Sequence, residues 1–118
     1  MARLFTSGFE LQSVTSGMEW GGVATAPAIE TTTIRSGSAA LRCNASAEAL
    51  IHQYASSSTV TFVRAYVRFV ALPNADITFL RLRSTTSAKV GIKCTTTGAL
   101  QLFNEEDSTQ IGSNSSTI

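Results

Sequence analysis

Three acidic residues, Glu105, Glu106 and Asp107, follow one another directly after Asn104. A retaining glycosidase needs two carboxyl groups ~5 Å apart across the scissile bond, which one strand supplies only from alternate residues. Contiguous acids at a strand end diverge in a turn instead. The expectation is a solvated acidic corner, open to a basic contact or a loop cation, although its spacing matches no calcium loop. His52 is the only histidine, which excludes a histidine cluster for zinc. No serine lies in a GxSxG elbow, and His52 reads as a half-buried strand residue with a hydrogen-bond partner. Cys43 and Cys94 match neither a CxxC pair nor a zinc spacing, and each falls on the apolar parity of a strand, so both are expected as buried free thiols rather than as the alternative, a core disulfide. No catalytic residue, metal or cofactor is expected, and the chain reads as a non-enzyme.

The basic residues are organised differently. In residues 61–72, TFVRAYVRFVAL, the alternation puts Val63, Ala65, Val67 and Phe69 on one face and Phe62, Arg64, Tyr66 and Arg68 on the other. Further on, Arg81 and Arg83 oppose Leu80 and Leu82, while Lys89 and Lys93 oppose Val90 and Ile92. Six of the nine basic residues thus take non-core parities within a short span. If these strands are neighbours, they make a basic sheet face carrying Tyr66. Such a face suits three roles: a solvated surface guarded by charge, a protein contact rich in Arg and Tyr, or a surface for an anionic glycan.

The elements that would hold these residues are short and alternating. RLFT and FELQ flank a Ser7-Gly8 turn, and a Gly/Ser/Pro-rich loop surrounds Trp20. ETTTIRS and AALRCNA form a hairpin about the turn at Ser36 to Ser38. AEALIHQY, helical by composition, alternates as a strand. The long strand at 61–72 ends at Pro73-Asn74. ITFLRLRS, AKVGIKCTT, ALQLFN and TQIGS then succeed one another with small-residue turns. This spacing predicts an all-β antiparallel sandwich or barrel, with no room for βαβ crossovers.

At 118 residues with 43% apolar content the chain has the length and core material of one domain, residues 1–118. Serine and threonine make up about a quarter of it, while charged residues reach only 14%. A net charge of +1 argues against nucleic acid. No apolar run approaches the roughly 20 residues that span a bilayer, so no membrane partner is expected. The N-terminus MARLFTSGFE lacks the pattern of a secretory signal, and the sites at Asn44-Ala-Ser46 and Asn114-Ser-Ser116 carry little meaning without one.

The order FTSGFE, a loop with one tryptophan, TTIRSGSAALRC, VRAYVRF, VGIKCTTTGALQLFN and STQIGS resembles the laminin-G-like, concanavalin A-like jelly-roll sandwiches over nearly the whole chain. Members of that superfamily are usually longer. The resemblance therefore implies a compact variant, the ordered part of a longer polypeptide, or a sandwich lacking C-terminal strands that a neighbour supplies. Because the fold serves many functions, three remain. The first is a phage virion component (capsid decoration, fibre or tail) made in the host cytoplasm, associating with itself or with other virion proteins. The second is an extracellular carbohydrate-binding module that contacts host or surface glycans. The third is a glycoside hydrolase, whose carboxylates the chain does not display. Self-association is expected to join Arg64, Tyr66, Arg68, Arg81, Arg83, Lys89 and Lys93 to the corner Glu105, Glu106 and Asp107.

Overall fold

The computed structural model describes residues 7, 9–14, 20–45, 47–52, 60–84 and 87–118. Among these the architecture is all-β and without helix: β1 (Gly22–Val23), β2 (Ala28–Glu30), β3 (Ala40–Arg42), β4 (Leu50–Ile51), β5 (Ile77–Arg83), β6 (Ala88–Cys94), β7 (Leu100–Asn104) and β8 (Thr109–Ile111). All pairings between these strands are antiparallel, in one four-stranded sheet and two of two strands, an arrangement compatible with a β-sandwich. The chain separates into two compact units, Met1–Tyr66 and Val67–Ile118.

The second unit is a meander, β5-β6-β7-β8. Its four strands fall where the sequence alternation places them. One cross-strand row joins Leu80, Ile92, Leu102 and Ile111, and its neighbour joins Leu82, Val90, Asn104 and Thr109. The opposite face carries the row Arg81, Gly91, Phe103 and Gln110. Between Thr78 and Leu80 the register slips. Phe79, left out of the pairing there, meets Phe69 edge-on with ring centroids 5.3 Å apart.

Local chemistry closes the turns after β6 and β7. After β6, Gly98 donates to the Thr95 carbonyl at 3.0 Å with φ +86, a left-handed conformation that glycine adopts without strain. The Thr95 hydroxyl accepts from the Ala99 amide at 3.0 Å, so this buried polar side chain is satisfied. After β7, the Asn104 side-chain carbonyl accepts from the amides of Glu106 and Asp107 at 3.0 and 3.4 Å, as asparagine does in turns. Cys94, fully buried, and Ala99 occupy the interior.

Gly91 sits in the middle of β6, where a glycine weakens a strand unless something must approach closely. A Cβ there would come within 2.8 Å of the Thr78 methyl and 2.5 Å of Glu105 Oε1. The missing side chain is the space through which the Glu105 carboxylate crosses the sheet.

In the first unit, β1 pairs with β4 and β2 with β3. Phe9 stacks on Trp20 with centroids 5.6 Å apart, and Trp20 meets His52 edge-on at 6.5 Å. His52 is half-buried, just past β4 rather than within it.

Several expected strands are corrected here. Of FELQ, residues 9–12 form a turn in which the Gln12 amide donates to the Phe9 carbonyl at 2.9 Å, with positive φ at both residues. ETTTIRS supplies only Glu30 to a strand. The Glu30 carboxylate accepts from the amides of Thr32 (2.7 Å) and Thr33 (3.3 Å) and from the Thr32 hydroxyl, folding 31–33 into a local turn that competes with a ladder. RLFT and the end of AEALIHQY lie outside the described residues.

The largest correction concerns 61–72. No part of it is a strand, and the supposed core positions Val63 and Val67 are 44% and 50% exposed. Strand propensity reflects packing against neighbouring strands rather than an intrinsic backbone preference, and no described strand pairs with this segment. Cys43 also departs from expectation: it is exposed, while Cys94 is buried, and both are free thiols.

Two outcomes follow from this packing. Gly91→Ala is expected to cost about 1–3 kcal/mol, the range for overfilling a packed site, measured by urea unfolding monitored by far-ultraviolet circular dichroism. A thiol reagent is expected to modify Cys43 in the folded protein and Cys94 only in denaturant. Partial burial, and then the Glu48 carboxylate, push the Cys43 thiol above its ordinary pKa of 9.0. Its labelling should therefore be slow at neutral pH and accelerate as the pH rises.

Candidate functional site

The polar face of the four-stranded sheet brings together part of the basic group read from the sequence. Arg81 stands beside Gly91 in register, and Lys89 and Lys93 share the Gly91 parity on β6. Arg83, exposed, lies beyond a second register slip and pairs with Ala88. Arg68 is exposed and on no strand, and Arg64 and Tyr66 belong to the first unit. The seven residues therefore do not form one sheet face.

Of the acidic corner, Glu106 and Asp107 lie exposed in the turn as expected, whereas Glu105 does not. Glu105 turns back over Gly91, accepting from the Thr78 hydroxyl at 3.0 Å and pairing with Arg81 at 3.2 Å, and its side chain is only 14% exposed. Its amide also donates to the Lys89 carbonyl at 3.0 Å. Glu106 pairs with Lys89, and the Asp107 carboxylate accepts from Asn104 Nδ2 at 2.6 Å. The Lys93 ammonium lies 3.0 Å from the centroid of the Phe103 ring, a cation–π contact. Acid and base thus meet within one chain. With Arg81 nearly half exposed, its pair with Glu105 falls in the ~0–1 kcal/mol range of surface ion pairs. Its main effect is to position the turn.

The edge beside β7 is finished by amides. Gln101 and Gln110 both donate to Asn114 Oδ1, at 3.1 and 2.8 Å. The Leu100 amide donates to the Ser115 hydroxyl at 2.9 Å.

A separate basic group lies in the first unit, in which Arg64 and Tyr66 were read from the sequence and Arg35 was not. The Arg35 guanidinium sits over the Tyr66 ring, 3.5 Å from its centroid. Arg64 approaches the same ring to 5.0 Å and donates to the Tyr66 hydroxyl. The Arg64/Tyr66 alternation was legible, but nothing in the sequence links Arg35 to Tyr66 across thirty-one positions. By contrast, Gly91 in an otherwise regular strand was a readable sign of close approach.

Among the described residues, no group of three His, Cys, Asp or Glu stands where it could hold a metal ion, and no helix is long and apolar enough to cross a membrane.

Among the described carboxylates, the most perturbed is Glu30. Hydrogen bonds from the Thr32 hydroxyl, the Thr32 amide and the Thr33 amide, and then the charge of Arg42 at 3.3 Å, lower its pKa from 4.5 to about 2. A depressed pKa adds stability above the unfolded value and loses it as the pH falls through the folded one. Glu30→Gln should therefore lower the thermal midpoint at pH 6, and the gap between variant and wild type should close between pH 4.5 and about 2, as followed by circular dichroism.

No protein-family model, curated protein or solved structure matches this chain, so its function has to be read from its own geometry.

Proposed function

We propose that the chain is a non-catalytic assembly module that associates with copies of itself. The observation that carries this is the state of the apolar sheet face. The row Leu80, Ile92, Leu102 and Ile111 crosses all four strands, yet Leu102 and Ile111 are each 43% exposed and Leu82, in the next row, 37%. Full burial of a leucine or isoleucine is worth roughly 1.5–3 kcal/mol. Covering the open parts of three such side chains adds up to a few kcal/mol, enough to bias association when repeated in each copy of a symmetric contact.

The commitments of the acidic residues point the same way. Glu105 is held by Arg81 and Thr78, and Glu106 by Lys89, so neither stands free opposite a second carboxylate as a glycosidase acid or nucleophile would. These intrachain pairs also move the proposed self-contact away from the basic face and onto the apolar one. In its finer form the proposal is a virion structural protein of the jelly-roll, concanavalin A-like kind, such as a phage decoration, fibre or tail component. That form rests on the succession of segments in the sequence.

The test is light scattering coupled to size-exclusion chromatography. Wild type is expected to show a mass that rises with concentration towards a defined oligomer, and Leu102→Glu to remain monomeric with an unchanged circular dichroism spectrum. A wild type that stays monomeric up to its solubility limit would sink the proposal.

A further inference from the structure

The arginine pair in the first unit gathers two guanidiniums without a carboxylate on one ring, whereas the sheet face sets only Lys93 so, against Phe103. Arg81 and Lys89 are each matched by a carboxylate, whereas neither Arg35 nor Arg64 is ion-paired among the described residues. Both guanidiniums are gathered on one ring, so their central carbons are no further apart than the sum of their distances to its centroid, 3.5 and 5.0 Å. Two uncompensated like charges that close repel one another, and an anion placed between them relieves the repulsion. Guanidinium forks match carboxylate oxygens in particular.

The surroundings indicate what carries the carboxylate. Residues 61–66 are exposed throughout, with Phe62 at 73% and Val63 at 44%. They belong to no ladder, and none of their amides or carbonyls makes a backbone hydrogen bond among the described residues. The strip therefore combines unpaired peptide groups, exposed apolar side chains and uncompensated positive charge. A polypeptide segment alternating acidic and apolar residues meets all three needs. Its main chain pairs in the manner of strand addition, its apolar side chains cover Phe62 and Val63, and its carboxylate enters between the arginines. A sulfated or uronic acid glycan would satisfy the charge and offer hydroxyls to some peptide groups, but it lacks the regular main-chain donors and acceptors of an added strand and an aliphatic side chain to cover Val63.

We propose that Arg35, Arg64 and Tyr66, with the unpaired backbone of residues 61–66, form a docking strip for an acidic, strand-forming segment of a partner protein. This strip is distinct from the apolar sheet face and does not depend on self-association through it.

The experiment is fluorescence anisotropy of the full chain with a labelled peptide of alternating Glu and Val. The controls are an alternating Lys and Val peptide, an N-methylated version of the Glu peptide, and a heparin oligosaccharide. The Glu peptide is expected to bind with an affinity that falls as salt rises, and the Lys and N-methylated peptides to bind much more weakly. Arg35→Gln and Arg64→Gln should each weaken Glu-peptide binding by about tenfold, equivalent to ~1.4 kcal/mol. Both substitutions are at exposed positions, so folding should be retained, and circular dichroism checks this. Leu102→Glu should leave peptide binding unchanged, which separates this strip from the self-association surface. No binding of the Glu peptide, equal binding by the arginine variants, or equal binding of the N-methylated peptide would overturn the proposal. So would heparin binding that depends on the same arginines without peptide binding, which would make the strip a glycan site.

Discussion

The second unit is organised around one half-buried carboxylate. Glu105 leaves the β7–β8 turn, crosses the open space above Gly91, and ends between the Thr78 hydroxyl and the Arg81 guanidinium on β5. A carboxylate moved partly out of water must keep its acceptor sites occupied, and here a hydroxyl and a guanidinium take two of them. The constraint reaches through three strands. Thr78 has to face Lys93 in the register, Arg81 has to face Gly91, and position 91 has to carry no side chain. The slip between Thr78 and Leu80 keeps both partners of Glu105 on one face and frees Phe79 to meet Phe69.

With the charged face closed on itself, the two faces of this sheet have different fates. The polar one pairs Arg81 and Lys89 with acids of the same chain and places Lys93 on an aromatic ring. The other carries an apolar row that its own strands only half cover. A sheet that pairs two of its four cations internally and carries a partly exposed apolar row relies on dispersion and water exclusion for contacts made through that row. Such contacts are set mainly by shape and weakly by salt. The first unit differs in one place: Arg42 is paired with Glu30, but the exposed Arg35 and Arg64 have no acidic partner among the described residues, and their interactions fall with ionic strength.

What could be read from the sequence follows the range of the interactions. Strands β5 to β8 were legible because each pairs with its neighbour in the chain, so that alternation, turn residues and register agree. The turn at Glu30 was not. Its β-branched threonines read as strand, and the capture of their amides by one carboxylate outweighed that preference. Residues 61–72 failed for a related reason: alternation records fitness for a ladder, and the described residues offer no ladder there. Cys43 was misplaced because apolar parity was extended past the end of β3 at Arg42, where the strand no longer holds alternate residues to opposite faces. At the site, the basic parities of Arg81, Lys89 and Lys93 were correct. Their acidic partners were seen as a separate corner, because contiguity in sequence says nothing about which way a turn folds back.

The space above Gly91 makes two distant positions depend on each other. A side chain at 91 meets both Thr78 and the Glu105 carboxylate, and shortening residue 105 removes only the second obstacle. Variation at 91 is therefore conditional on what stands at 105. The effects of substitutions at the two sites should not add, and an exchange that is harmful in one background becomes milder in the other. In evolutionary terms they form an epistatic pair, with Thr78 as a third member because its methyl lies 2.8 Å from the same point whatever stands at 105.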